Sequence, residues 1–240
     1  MIERTHRRQA TSRWALSTLS VSVCLLATAC DSSNDGRVAE PACAAAADPY
    51  TTLPFYDDAD FTPKWLPRSV VDAPAFHRIP PFRFTNQNGE EVTEKAYDGK
   101  IYVVDFFFTT CGGICPVMTR NLGKVQKEYF DDDDVRLLSH TVTPQIDRVP
   151  MLKSFAEQYG VKDGKWNLVT GARREIYDIA RRFYFADEDL GEKDENDFLH
   201  TENFILVDKE RRIRGVYNGT RVMDIKRLIE DIALLKKEYE

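Results

Sequence analysis

The chain has 240 residues, of which 42% are hydrophobic and 30% charged, and its formal net charge is −6. This composition is typical of a soluble globular protein and excludes a polytopic membrane protein. The length allows one domain of ordinary size with tails. The acidic balance argues against nucleic-acid binding, because phosphates require a basic surface.

The first thirty residues predict an exported, membrane-anchored protein. Four arginines precede an apolar and small-residue stretch at 14–29, which is too short for a comfortable membrane span and is typical of a secretory signal. The step from Ala29 to Cys30 has the form of a bacterial lipoprotein cleavage site. We therefore expect residues 1–30 to be a leader, with Cys30 lipidated. Ordinary secretion and an uncleaved anchor are the alternatives.

Residues 31–51 are predicted to form a flexible tether, because they are small, polar and rich in alanine. Asp31, directly after the cysteine, is typical of lipoproteins retained in the inner membrane and facing the periplasm. Cys43 is interpreted as an incidental exposed thiol. Without the leader, which carries four Arg and one Glu, 29 basic and 38 acidic residues remain, a net charge of −9. The folded domain is expected at 52–240.

The domain is predicted to begin with a β-hairpin, whose strands flank a tight turn at Asn88–Gly89. The run at 101–108 is continuously apolar apart from Asp105, as in a strand buried on both faces. Hydrophobic periodicity then predicts, in chain order, a helix at 116–130, a strand at 135–142, a helix at 149–159, a strand at 165–170, a helix at 172–183, a strand pair at 203–208 and 213–218, and a last helix at 221–237.

This order of elements predicts an α/β fold. A cysteine pair lies at the junction between the first central strand and the helix after it, which makes the arrangement thioredoxin-like. We expect a central mixed β-sheet flanked by helices, with the hairpin as an N-terminal extension. An acidic insertion at 186–199 leads to His200.

Cys111 and Cys115, in the sequence TTCGGICP, are the residues that point to chemistry. Cys115 is expected in the first helical turn, where unpaired N–H groups and the helix dipole favour a thiolate. Gly112 and Gly113 allow a tight bend between the sulfurs, and Pro116 is tolerated early in a helix. Three intervening residues suit two thiolates on one metal ion, and they also suit a disulfide. The spacing alone is compatible with both a metal-binding site and a redox-active pair.

His200, in DFLHTENFILVD, favours a metal site. It directly precedes a strand, on the loop that lies beside the cysteine junction in a thioredoxin-like sheet. Thioredoxins place a cis-proline there, whereas this chain has no proline after Pro150. Two thiolates and an imidazole form a soft donor set that suits Cu(I), and with a weak further ligand Cu(II). Structural zinc would require a fourth strong ligand, and none is evident.

In combination, VVDFFFTTCGGICPVMTRNLGKVQ and DFLHTENFILVD resemble the SCO/SenC family of membrane-tethered copper-delivery proteins, which serve assembly of the binuclear copper site of cytochrome c oxidase subunit II. The resemblance covers roughly 52–238. It implies that Cys111, Cys115 and His200 bind copper. It also implies subunit II or a related copper oxidase as partner, together with other copper chaperones or thiol reductases.

One position departs from the family pattern. Thr143, in TVTPQIDRVP, stands where the family often has an aspartate, whereas Asp147 matches the later part of the pattern. Asp105 is interpreted as a buried polar residue near the site or a purely structural one, and His140 as a residue that packs or hydrogen-bonds at a strand end.

These features together predict a copper-binding metallochaperone rather than an enzyme. The alternative is a membrane-tethered thiol–disulfide oxidoreductase that reduces the cysteines of the oxidase copper site. The two hypotheses differ at His200, because a reductase requires the thiols but not the imidazole.

Overall fold

The computed structural model describes residues 51–186, 199 and 201–240. The elements are α1 (Arg68–Val71), β1 (Arg83–Asn86), β2 (Glu91–Thr93), β3 (Ile101–Phe107), α2 (Cys115–Glu128), β4 (Val135–Thr141), α3 (Val149–Tyr159), β5 (Trp166–Thr170), α4 (Arg173–Arg182), β6 (Asn203–Val207), β7 (Ile213–Asn218) and α5 (Val222–Lys237), with a 3-10 turn at Glu94–Tyr97. The predicted helices and strands are all present, and their ends lie within two residues of the predicted ones. The short α1 and the 3-10 turn were not predicted.

The strands form one seven-stranded mixed sheet in the order β2-β1-β5-β4-β3-β6-β7. The three central strands β5, β4 and β3 are parallel, and the outer pairs are antiparallel. The predicted hairpin is β1–β2, with Gly89 at a positive φ of 78° in its turn, and it extends the sheet through β1 beside β5. The expected thioredoxin-like fold class is thus confirmed.

The central position of β3 explains its sequence. All seven of its residues are buried, because β4 and β6 pair with both of its edges and helices cover both of its faces. A strand in this environment requires a near-continuous apolar run, which IYVVDFF supplies with one exception, Asp105.

Each face of the sheet has its own hydrophobic core. Helices α2, α3 and α5 cover one face, where α5 contributes four buried side chains at helical spacing: Ile225, Leu228, Ile232 and Leu235. Helix α4, the 3-10 turn and the segment before β1 cover the other. Within the residues that the structure describes, no helix combines the length and the apolar character needed to cross a membrane.

Candidate thiol and metal site

The two cysteines lie at the junction between the central strand β3 and helix α2, as predicted. β3 ends at Phe107, a loop follows, and Cys115 is the first residue of α2. Cys115 is buried, with 4% of its surface exposed, whereas Cys111 is partly exposed. Both are free thiols. The backbone N–H of Cys111 donates to the carbonyl oxygen of Phe108 at 3.3 Å, which closes a turn just ahead of the pair.

The Cys111 thiol is the more acidic of the two. Its partial burial would raise its pKa, but donors around the sulfur outweigh that effect. They are the backbone N–H and the thiol of Cys115 and the backbone N–H groups of Gly113 and Ile114, and together they lower the pKa of Cys111 below its usual value. These backbone donors belong to the start of α2, as expected for a thiolate at a helix N-terminus.

The pKa of Cys115 is shifted in the opposite direction. Burial raises the pKa of the Cys115 thiol well above its usual value, and the nearby charges of Cys111 and Asp105 raise it further. The pair therefore consists of one accessible sulfur that ionises readily and one buried sulfur that holds its proton. A soft metal ion can replace that proton, because it neutralises both thiolates at once.

The loop between the cysteines leaves space beside the sulfurs. Among the described residues, a Cβ atom added at Gly112 would meet nothing within 4 Å, and one at Gly113 would meet only the Cys111 sulfur at 4.0 Å. Ile114, the last loop residue, is 42% exposed. No described residue therefore covers the middle of the loop.

Asp105 is a buried carboxyl on the same face of the sheet as Cys115. Val103 and Phe107 on either side of it pack in the same core cluster as Cys115, and strand alternation directs Asp105 to that face. The Ser139 hydroxyl donates to its carboxyl oxygen. Burial raises the pKa of Asp105 to about 7, and the Ser139 hydrogen bond opposes that rise. The interpretation as a buried polar residue is confirmed.

His140 lies on the opposite face of the sheet and is fully buried among aromatic rings. Its ring stacks on Phe106 at 5.3 Å between centroids and meets the edge of Phe84 at 5.0 Å. Neither ring nitrogen has a hydrogen-bond partner among the described residues. Burial lowers the pKa of His140 to about 3, so the ring is neutral. It packs, as expected, but it does not belong to the cysteine site.

The third predicted ligand, His200, lies outside the described residues, as do Cys30 and Cys43. Its described neighbours, Leu199 and Thr201, precede β6. Because β6 runs antiparallel to β3, its first residues lie at the end of the sheet where β3 finishes and the cysteine loop begins. Among the described residues, no group of three or more His, Cys, Asp and Glu side chains is arranged to hold a metal ion. His200 as a ligand stays a prediction.

Asp147 has a role that the sequence pattern did not show. Its carboxylate is fully buried and accepts hydrogen bonds from the hydroxyls of Thr109, Thr141 and Thr143. Thr143, the position that departs from the family pattern, thus serves as a donor to the neighbouring acid. The sequence matched Asp147 to a motif, but only the fold brings it to the loop that carries Cys111.

These observations define a class of protein: a thioredoxin-like domain with a Cys-x-x-x-Cys pair at the start of the helix after its central strand. The sequence model of the SCO1/SenC family matches residues 72–237. The chain is also 32% identical over 164 residues to the SCO1 protein homolog of Bacillus subtilis, covering 68% of this chain and 84% of that protein. The chain belongs to the SCO1/SenC family.

Solved structures agree with this assignment. A SCO1/SenC family lipoprotein from Bacillus anthracis is 31% identical, with a TM-score of 0.60 over 67% of this chain and 95% of that chain. BsSco, a member of the Sco family of cytochrome c oxidase assembly proteins in which a disulfide switch was identified, is 29% identical, with a TM-score of 0.56 over 66% of this chain and 93% of that chain. ScoI of Bradyrhizobium japonicum, solved with copper bound, shares the fold at 24% identity, with a TM-score of 0.52 over 65% of this chain and 98% of that chain.

Proposed function

We propose that this chain is a copper-binding metallochaperone that delivers copper to the binuclear copper site of cytochrome c oxidase subunit II. The thiols of Cys111 and Cys115 and the imidazole of His200 hold the ion as cargo, as Cu(I) or Cu(II). One observation carries the proposal: two free thiols, one accessible and one buried, converge at the start of α2 in a chain of the SCO1/SenC family.

The donor set fits copper. Two thiolates form a soft, low-coordination site, which suits Cu(I) better than hard divalent ions. The accessible Cys111 can exchange an ion with a partner, while the buried Cys115 keeps it out of bulk water. The copper-bound Bradyrhizobium protein and the oxidase-assembly role of BsSco support the same cargo and the same kind of partner for this chain.

We further propose that residues 1–30 are a leader, that Cys30 carries a lipid, and that residues 31–51 tether the domain to the periplasmic face of the inner membrane. The Bacillus anthracis relative, a lipoprotein, supports this anchoring. Arg214 of β7 donates to the Leu53 carbonyl oxygen at 2.7 Å. This contact lies near the start of β7, at the end of the sheet where β3 begins. The described chain therefore enters the domain near Leu53, at the end of the sheet opposite the cysteines, and this is where the proposed tether would join it.

Anaerobic titration of the reduced protein with Cu(I) tests the metal site. We expect about one copper ion per chain, with X-ray absorption showing sulfur and nitrogen donors. Cys111→Ser and Cys115→Ser should abolish tight binding, and His200→Ala should weaken it and remove the nitrogen donor. His77→Ala is the control histidine, since its ring stacks on Phe185 and its Nε2 bonds to the Phe183 carbonyl, both beside α4.

The absence of stoichiometric copper binding by the reduced wild-type protein would overturn the copper proposal. His200→Ala and His77→Ala variants that bind copper identically would refute His200 as a ligand, and they would leave the two thiols as the copper site.

The second candidate function is a thiol–disulfide oxidoreductase acting on the oxidase copper-site cysteines. The opposite pKa shifts of Cys111 and Cys115 favour it, because an accessible acidic thiol attacks and a buried one resolves. The disulfide switch found in BsSco points the same way. In cells, oxidase assembly that survives His200→Ala but fails with Cys115→Ser would establish this function over copper delivery.

A further inference from the structure

We infer that Asp147 is a positioning residue. Its carboxylate holds the segment just before Cys111 in place, and this sets the position of the Cys111 sulfur relative to Cys115. This role rests on the proposed function of the same thiol pair, and it makes Asp147 the residue that orients that pair.

Both oxygens of the Asp147 carboxylate accept hydrogen bonds from Thr109. The Thr109 backbone N–H donates to Oδ2 at 3.2 Å, and the Thr109 hydroxyl donates to Oδ1. Thr109 is two residues before Cys111 in the chain. Hydrogen bonds to an ionised acceptor are the stronger and geometrically stricter kind, so this contact restrains both the backbone and the side chain of Thr109.

The other donors to Asp147 come from the end of β4. The Thr141 hydroxyl donates to Oδ2 at 2.5 Å and the Thr143 hydroxyl at 2.9 Å, while the Thr143 backbone N–H donates to the Thr141 hydroxyl oxygen at 3.0 Å. Asp147 thus joins the loop after β3 to a rigid strand end beside it. No ion pair to Asp147 occurs in the described part of the chain, so these donors stabilise the buried carboxylate.

Among the described residues, few contacts tie the middle of the cysteine loop to the rest of the domain. Thr110 is exposed, and a Cβ atom placed on Gly112 would have no neighbour within 4 Å among the described residues, while one on Gly113 would meet only the Cys111 sulfur. Within the loop, the Cys111 N–H bonds to the Phe108 carbonyl oxygen, and the Cys111 side chain packs against the core. Among the described residues, the Thr109–Asp147 contact is the one that ties this end of the loop to the end of β4.

The restraint should change the equilibrium for disulfide formation, which depends on the effective concentration of one thiol at the other. Oxidation by glutathione disulfide joins the Cys111 and Cys115 sulfurs, and both thiol protons and both electrons pass to two glutathione thiols. Thr109→Val keeps the shape of the side chain but removes its hydroxyl. We expect this change to lower the equilibrium constant about three- to ten-fold, as loss of part of one charge-assisted hydrogen bond would.

Two control variants separate positioning from stability. Thr110→Val makes the same change one residue nearer to Cys111 but away from Asp147, and Arg214→Met removes the buried partner of the Leu53 carbonyl and the Glu238 carboxylate at the opposite end of the sheet. We expect both to keep the wild-type disulfide equilibrium, although Arg214→Met should lower the resistance to urea. The fraction of disulfide is measured by alkylation and mass spectrometry in glutathione buffers without copper, and folding by urea titration.

A Thr109→Val equilibrium constant equal to those of wild type and Thr110→Val would overturn the inference. So would equal losses in Thr109→Val and Arg214→Met, because the effect would then follow stability alone. A wild-type protein that forms no disulfide would overturn it as well. The copper titration is independent of these measurements, so failure of the positioning role and failure of the proposed function can be told apart.

Discussion

Two buried groups should make the stability of this domain depend on pH in opposite directions. His140 has its pKa lowered to about 3 from an ordinary 6.5, and Asp105 has its pKa raised to about 7 from an ordinary 3.8; burial is the first cause of both shifts. They lie on opposite faces of adjacent strands, so each can be replaced with little direct effect on the other.

The His140 contribution is lost as pH falls. Below 6.5 the unfolded chain binds a proton at His140, while the folded chain stays neutral there until about 3. Stability follows the difference in bound protons, with a slope approaching about 1.4 kcal/mol per pH unit. Between about pH 7 and about pH 5 this group alone should lower the free energy of unfolding by about 2 kcal/mol.

The Asp105 contribution has the opposite sign. The folded chain protonates Asp105 below about 7, whereas the unfolded chain does so only below 3.8. Stability is therefore gained as pH falls through this window and lost as it rises. The gain between about pH 7 and about pH 5 is again about 2 kcal/mol, so the two groups nearly cancel in the wild-type protein.

Urea titrations at several pH values would show how each group makes the free energy of unfolding depend on pH, once the other group has been replaced. His140→Phe, which suits its aromatic surroundings, should become more stable by about 2 kcal/mol on going from about pH 7 to about pH 5, and Asp105→Asn less stable by a similar amount, both relative to wild type. Asp60→Asn, at an exposed position, is the control. Parallel pH profiles for wild type and both variants would refute the reasoning.

Two further predictions concern the thiols and the N-terminal segment. Iodoacetamide at about pH 8 should modify Cys111 about ten-fold or more faster than Cys115, because only Cys111 is accessible and has a lowered pKa; peptide mass spectrometry would show this, and equal rates would contradict it. Arg214→Met should lower the free energy of unfolding by about 3 kcal/mol, since it leaves the Leu53 carbonyl and the Glu238 carboxylate without their buried partner. Urea titration measures this, and a loss below about 1 kcal/mol would contradict it.

The secondary structure could be predicted because its signals are local. The Asn88–Gly89 turn, the buried run of β3 and the helical spacing in α5 each depend on residues within one element. The class of site could be predicted for the same reason, since Cys111 and Cys115 lie together in the chain. The 3-10 turn and α1 could not, because segments this short form through packing against the rest of the domain.

The sequence alone therefore determines the order of the elements, the thioredoxin-like arrangement and the identity of the thiol pair. Only the tertiary structure decided how the two thiols differ, because burial and the donors at the start of α2 act in opposite directions on Cys111 and Cys115. It also brought Asp147 to Thr109, a contact between residues 38 positions apart that no local pattern encodes. Spacing along the chain predicts which residues are neighbours within an element, whereas sheet pairing decides which loops meet.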